Sequence, residues 1–434
     1  MRARHRLVQM APVSLLSLAA CLAAAPDLAA AAPATAAAGS HGTGGAPNAT
    51  LLSTPTEAAI SAADPVPIPL DKVLSFAAQQ LKATRKAFPP GDAFPGRATL
   101  PDGSWPEVDR TDWVAGFYPG WLWQMHALTN KSEWSKAATK LLPGLEETQY
   151  DTGSHDIGFI MLSSYGPAYR RVAPTSTLGK RYRSILLAQR YSPRLGMFRS
   201  WGKDLKRDEF QVVIDNMMNL ELMWVASRLP GGKTSWRDMA RSHARATAAH
   251  FFRPDSSTYH KLEFSLKSRK VTFRGTRQGY SNSSTWDAAW AIYGFTQAYE
   301  ATNKTEFRRV AGKAAELFLK RLTPDWVPFY WDFDAPANMP YKDTSAGAVA
   351  ADGLLRLSRW AKGEAQGRYR SAALRMLSAL ATGYLSSSAP APQPASVLRN
   401  GTGAVFRGDW GTGTSYGDYY FLEALAVGRS MKLL

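Results

Sequence analysis

From about Leu70 to Leu434 the chain alternates between two kinds of hydrophobic segment. In one kind, apolar residues recur at three- and four-residue steps, as expected of a helix with a single buried face. Asp71 to Phe88, with Val73, Leu74, Phe76, Ala77 and Leu81, is of this kind, and so are Ser135 to Thr148, Tyr182 to Tyr191, Trp236 to Phe252, Glu306 to Leu322 and Tyr369 to Leu385. The other kind is apolar on nearly every side: Asp112 to Thr129, Asn216 to Ser227, Thr285 to Ala301, Ala346 to Arg359 and Tyr419 to Val427. Such segments have no face to give to water and are predicted as inner helices. Ser154 to Arg170 joins them, with Phe159, Leu162, Tyr165 and Tyr169 on one face and His155 and Asp156 at its start.

Two connections resemble each other, LTNKSEW at Leu128 to Trp134 and ATNKTEF at Ala301 to Phe307. In each a helix stops, an Asn-Lys pair turns, and a Ser or Thr opens the next helix. Successive inner segments are roughly 40 to 75 residues apart, room for helix pairs with functional loops. About six such pairs fit, which predicts an all-α (α/α)6 barrel over 70–434. An open helical solenoid is the alternative, disfavoured by the lack of a strict repeat period.

The N-terminal stretch reads differently. Arg2, Arg4 and Arg6 precede an apolar run through Val13, Leu16 and Leu22, followed by small residues, a secretory signal over about 1–32. It is too short and Ala-rich to predict a membrane span. Residues 33–69 are Ala, Gly, Pro, Ser and Thr, predicting a disordered leader. The sole cysteine, Cys21, lies in the signal, so the mature protein is expected to be free of disulfides. Five Asn-x-Ser/Thr sequons, at Asn48, Asn130, Asn282, Asn303 and Asn400, make a glycoprotein possible in a eukaryotic host.

Composition adds two hints. A formal charge of +17 favours an anionic partner such as an acidic polysaccharide, or a basic solvating surface. The cations are scattered and match no nucleic-acid motif, so neither nucleic acid nor a membrane is an expected partner. Fourteen Trp, seventeen Tyr and eighteen Phe fit either an aromatic core or walls that stack on sugar rings. Placed on the inner helices, Asp112, Asp156, Asp215, Asp343 and Asp418 stand at or near helix starts, beside Trp113, Trp286, Trp290, Trp331 and Trp410. Any one such Asp reads as a cap. A whole rim of carboxylate and indole reads better as a carbohydrate cleft. No zinc-binding HExxH, dinucleotide fingerprint, GxSxG elbow or P-loop is present.

Nine segments then appear in an order that resembles glycoside hydrolase family 88, the unsaturated glucuronyl hydrolases: WVAGFYPGWLW, HDIGF with SSYGPAYR, IDNMMNLELMWVA, RPDSSTYH, TRQGYSNSSTW, AWAIYGF, YWDFDAP, DTSAGAVAADGLL and GDYYFLEAL. The resemblance implies an (α/α)6 barrel, no cofactor or metal, and removal of a 4,5-unsaturated uronic acid from lyase-generated oligosaccharides by hydration of its vinyl ether. It implies that Asp215 is the acid/base and Asp156 the second catalytic carboxylate. It further implies that His260, Gln278 and Ser345 are polar substrate-binding residues and Trp113, Trp286 and Trp290 aromatic walls. A monomer acting on anionic unsaturated oligosaccharides is expected. Unsaturated rhamnogalacturonyl hydrolysis, a sugar epimerase or isomerase, and a non-catalytic glycan-binding relative are the alternatives. One segment departs from the pattern: between Trp286 and Trp290 the chain reads WDAAW, about two residues shorter than usual, with an Asp near the place of an Arg. Loss of that positive charge is expected to alter how an anionic ring is held.

Overall fold

The computed structural model describes residues 67–171, 186–202, 204, 207–229, 231–276, 284–323, 325–326, 329–336 and 338–434. The predicted signal and leader lie outside the described residues up to residue 66, as do Gln278 and Asn282.

Each segment that is apolar on all sides becomes an inner helix. These are α2 (Phe117–Thr129), α4 (Ile157–Arg171), α5 (Asn216–Ser227), α7 (Thr285–Thr302), α9 (Thr344–Ser358) and α11 (Ser415–Ser430). Each packs on the next, and α11 packs back on α2, so the six close into a ring. The amphipathic segments lie outside it: α1 (Leu70–Ala87) and α3 (Ser132–Leu141) on α2, α6 (Thr234–His250) on α5, α8 (Thr305–Lys320) on α7 and α10 (Glu364–Gly383) on α9. This is the (α/α)6 barrel. Trp121, Trp123, Trp224 and Trp290 are buried on the inner helices, and burial of each is worth about 4–6 kcal/mol by apolar area. Among the described residues no helix is long and apolar enough to cross a membrane.

The two similar connections fold alike. Asn130 (φ 56°) and Asn303 (φ 53°) end their helices in the left-handed conformation, each N–H donating to the carbonyl four residues back, His126 and Tyr299. The extended Lys131 and Lys304 then lead into Ser132 and Thr305.

Three predicted elements differ. α2 starts at Phe117 rather than Asp112, because the Asp112 carboxylate accepts from the Val114 N–H and the chain stays in turns until Gly116. The helix predicted over Ser135 to Thr148 ends at Leu141, where Pro143 lacks the N–H an α-helix needs, and tightens into a 3₁₀ run over Leu142–Tyr150. Of the helix predicted over Tyr182 to Tyr191, the described part is a 3₁₀ turn, Leu186–Arg190, followed by Tyr191 in an extended pairing with Phe198.

Strands absent from the helical reading also occur. β1 (Ala93–Pro95) pairs with β2 (Glu107–Asp109); β3 (Glu209–Val213), β4 (Lys261–Ser265) and β5 (Val271–Gly275) form an antiparallel sheet; β6 (Gly401–Ala404) pairs with β7 (Asp409–Thr412). All lie in connections between helices, where they shape one mouth of the ring.

Candidate active site

Two inner helices begin at the residues of greatest chemical interest. Asp156 precedes α4, and its carbonyl accepts the first helical bond from Ile160. Its carboxylate is not spent on capping: it accepts from the Ser154 hydroxyl at 2.6 Å and from the Trp201 side chain. Asp215 precedes α5 and makes no side-chain cap. One of its carboxyl oxygens is buried without a hydrogen-bond partner among the described residues. A buried carboxyl oxygen without a partner, as at Asp215, is costly unless a ligand uses it.

The sheet puts His260 beside Asp215. Val213 pairs with Lys261 across β3 and β4, and the Ile214 N–H donates to the His260 carbonyl at 3.0 Å, so the residues after one strand and before the other meet. His260 is buried, and its Nδ1 lies 2.8 Å from Asp287 Oδ1 in the first turn of α7. That contact fixes the ring, with Nδ1 on the Asp287 side. Asn219 ties the two helix starts together. Its Oδ1 accepts from the Phe159 N–H at 2.7 Å, and its Nδ2 lies 3.1 Å from the Asp215 carbonyl and 3.2 Å from His155 Nδ1. Gly158 permits this approach, since a Cβ there would lie 2.2 Å from Asn219 Oδ1.

Around these groups lies a cavity of about 210 Å³, lined by Arg97, Trp113, Asp156, Phe159, Trp201, Asp215, His260, Trp286, Gly403, Ala404, Phe406, Arg407 and Asp409. It is smaller than the roughly 300–1,000 Å³ of drug-sized sites. One sugar ring suits it. A larger space of about 960 Å³ adjoins it, sharing Arg97, Arg407 and Asp409 and carrying Trp410, whose indole stacks on Tyr341 at 4.1 Å.

Burial pushes the Asp215 carboxyl up to about 7; the neighbouring Asp287 and Asp156 charges add to this and His260 opposes it. Burial likewise lifts Asp156 to about 6, against the hydrogen bonds from Ser154 and Trp201. His155 Nε2 lies 3.2 Å from Asp156 Oδ1, yet the geometry makes no hydrogen bond and burial drives the imidazole well below its ordinary range. It is a neutral neighbour rather than half of an ion pair.

The cavity thus brings together five of the sequence-derived candidates: Trp113, Asp156, Asp215, His260 and Trp286. Trp290 is fully buried behind them, 5.5 Å from Phe159 and 5.7 Å from Trp286, and supports the wall instead of facing the space. Ser345 is also buried off the cavity, its hydroxyl and N–H both engaged by Asp343. Gln278 lies outside the described residues. Of the other rim carboxylates, Asp343 accepts from the Thr402 N–H and Asp418 from Val397 and Leu398 at 2.7 and 2.8 Å; both clamp loops. Arg97, Trp201, Arg407 and Asp409 were missed, since they come from loops whose pattern has no period.

Known proteins give the geometry its context. No family model matches the chain. An unsaturated glucuronyl hydrolase of Formosa agariphila is 32% identical over 334 residues, 74% of this chain and 80% of that protein. The chain belongs to glycoside hydrolase family 88, the unsaturated glucuronyl hydrolases. An unsaturated chondroitin disaccharide hydrolase of Streptococcus pyogenes is 29% identical over 82% of this chain and 90% of its own length. The crystal structure of an unsaturated glucuronyl hydrolase specific for heparin superposes with a TM-score of 0.78 and 32% identity, over 84% of this chain and 98% of that one. The protein is therefore a glycoside hydrolase acting on unsaturated uronic acid.

Proposed function

We propose that this is a secreted enzyme that removes a 4,5-unsaturated uronic acid of glucuronyl type from the non-reducing end of lyase-generated oligosaccharides. The observation that carries the reading is a one-ring cavity in which two carboxyl groups, Asp156 and Asp215, both have raised proton affinity. A small pocket next to a wider space suits a terminal sugar with its chain outside, and the apolar N-terminal segment with its three arginines supports export.

Asp215 acts as the acid. With a pKa of about 7 it is about nine-tenths protonated at pH 6 and can deliver that proton to C4 of the ring. Positive charge then develops at C5 and the ring oxygen, where ionised Asp156 stabilises it. The Asp215 carboxylate takes a proton from water as its oxygen adds to C5. The resulting hemiketal opens by breaking the bond from C5 to the ring oxygen, leaving a ketone at C5 and a hemiacetal at C1 that collapses to an aldehyde and frees the remaining sugar. Trp113, Phe159, Trp201 and Trp286 wall the ring, and His260 is held by Asp287 to donate or accept at one sugar hydroxyl. The test is loss of the ultraviolet absorbance of the conjugated double bond when the protein meets unsaturated disaccharides from glycosaminoglycan, pectin, ulvan and alginate lyases. Decay abolished in Asp215→Asn is expected; no decay with any member would refute the reading.

A further inference from the structure

We propose that Arg97 binds the carboxylate of the uronate, supplying from a loop the charge that the Trp286–Trp290 segment lacks. The proposal rests on the functional reading above, which gives the ring its negative charge.

Trp286 and Trp290 sit one helical turn apart on α7, the first at the cavity and the second behind it. Between them, Asp287 turns to His260 and the two alanines carry no charge. The helix therefore offers the substrate no cation. An anionic ring set beside the Asp156 and Asp409 carboxylates needs a positive partner. Among the described lining residues the arginines are Arg97 and Arg407.

Position separates the two. The backbone of Arg97 is pinned: its carbonyl accepts from the Ser415 N–H at 3.0 Å at the start of α11, and the next residue, Ala98, bridges to Thr414. Just before it, Gly96 donates to the Pro106 carbonyl at 2.7 Å. Asp409 Oδ2 lies 3.3 Å from its Nε, an ion pair whose geometry makes no hydrogen bond. A guanidinium carries five donors in a rigid fork, so one edge can stay on Asp409 while another faces a ligand carboxylate. Its side chain is 41% exposed, in the lining shared by the one-ring cavity and the wider space. Arg407, by contrast, lies in a short exposed turn with its guanidinium over its own neighbour Phe406, 5.4 Å from the ring centre. It is oriented by local chain alone.

The test compares an unsaturated uronyl disaccharide with its methyl ester, which keeps the ring and the double bond but removes the charge. In wild type the acid is expected to have the lower KM. Arg97→Gln should raise KM for the acid about 10- to 100-fold, the worth of a charged hydrogen bond, while kcat and the ester's KM stay within a few-fold. Arg97→Lys should restore part of the preference. Binding of both sugars to Asp215→Asn, with and without Arg97→Gln, gives a readout independent of turnover. If Arg97→Gln weakens acid and ester alike, its role is structural and the assignment falls. It also falls if Arg407→Gln, rather than Arg97→Gln, removes the discrimination. Acid-selective binding that needs Arg97, in a protein that hydrates nothing, would support Arg97 and overturn the catalytic reading instead.

Discussion

Replacing Asp215 by Asn should destroy activity and, above neutral pH, make the protein more stable. The two effects have one origin. The folded protein holds this carboxyl at a pKa of about 7, against about 3.8 when unfolded, because the site disfavours the charged form. A raised carboxylate pKa means that stability is complete below about pH 4 and drains away as pH rises through 7. A shift of about 3 units corresponds to about 4 kcal/mol, and halving that for solvent reaching the cavity leaves about 2 kcal/mol at pH 8. Asn keeps the shape and cannot ionise, so it escapes the penalty. For a barrel of this size, about 2 kcal/mol is a Tm difference of roughly 2–3 °C.

The assay is thermal unfolding of both proteins at pH 4 and pH 8, with hydration of an unsaturated disaccharide measured alongside. The stability of Asp215→Asn relative to wild type should improve by about 2 kcal/mol from pH 4 to pH 8, whatever constant offset the substitution brings. Turnover should fall by about 10²–10⁴. A stability difference that stays flat with pH, or that moves the other way, would refute the claim that Asp215 is held protonated by its surroundings, and with it the physical basis for its role as acid.

Four further outcomes can be checked. The kcat/KM profile should be a narrow bell, its acid limb near 6 from ionisation of Asp156 and its alkaline limb near 7 from loss of the Asp215 proton, the two behaving as a coupled pair; a profile flat from pH 5 to 9 would contradict this. Gly158→Ala places a Cβ 2.2 Å from Asn219 Oδ1, so it should cost about 1–3 kcal/mol in denaturant unfolding and lower kcat as the two helix starts separate. Asp287→Asn should lower kcat/KM about tenfold or more by releasing the His260 ring, with little change in Tm. Away from the site, Arg356 reaches Asp352 at 2.6 Å and Glu423 at 3.5 Å; Arg356→Met removes the cation from both buried acids, leaving Glu423 its hydrogen bonds from Tyr293 and Tyr419, and should cost about 3–5 kcal/mol of stability.

Much of the barrel could be read from the chain because its inner helices are wetted on no side. A segment such as Thr285 to Ala301, with no continuous polar face, has few other places to go. The strands were harder. β4 does alternate, with Leu262 and Phe264 buried between more exposed neighbours, and β3 does so until Val213, which is buried beside Val212; five residues are too few to stand out against helical flanks. Their importance is positional, since the pairing of Val213 with Lys261 sets Asp215 and His260 side by side across a sequence gap that no local pattern spans.

The same contrast explains which site residues were visible. Asp156 and Asp215 stand at helix starts, where an acidic residue invites the question of whether it caps, and the structure answers that neither side chain is spent that way. Ser345 and Trp290 stand in equally suggestive places, yet one is bound to Asp343 and the other is sealed in the core, distinctions of orientation that spacing does not encode. WDAAW shows the limit most clearly. A missing arginine is legible as a lost charge, but a compensating charge need not arise nearby in sequence. Arg97 lies almost 190 positions before Trp286, and only the ring closure of α11 onto α2, which brings Ser415 to the Arg97 carbonyl, carries it to the same cavity. In a closed barrel the loops of distant pairs share one mouth, so a charge lost from one can be restored by another. On the roles proposed for Arg97, Asp156 and Asp215, substrate preference follows the geometry of the mouth, while the chemistry follows the helix starts.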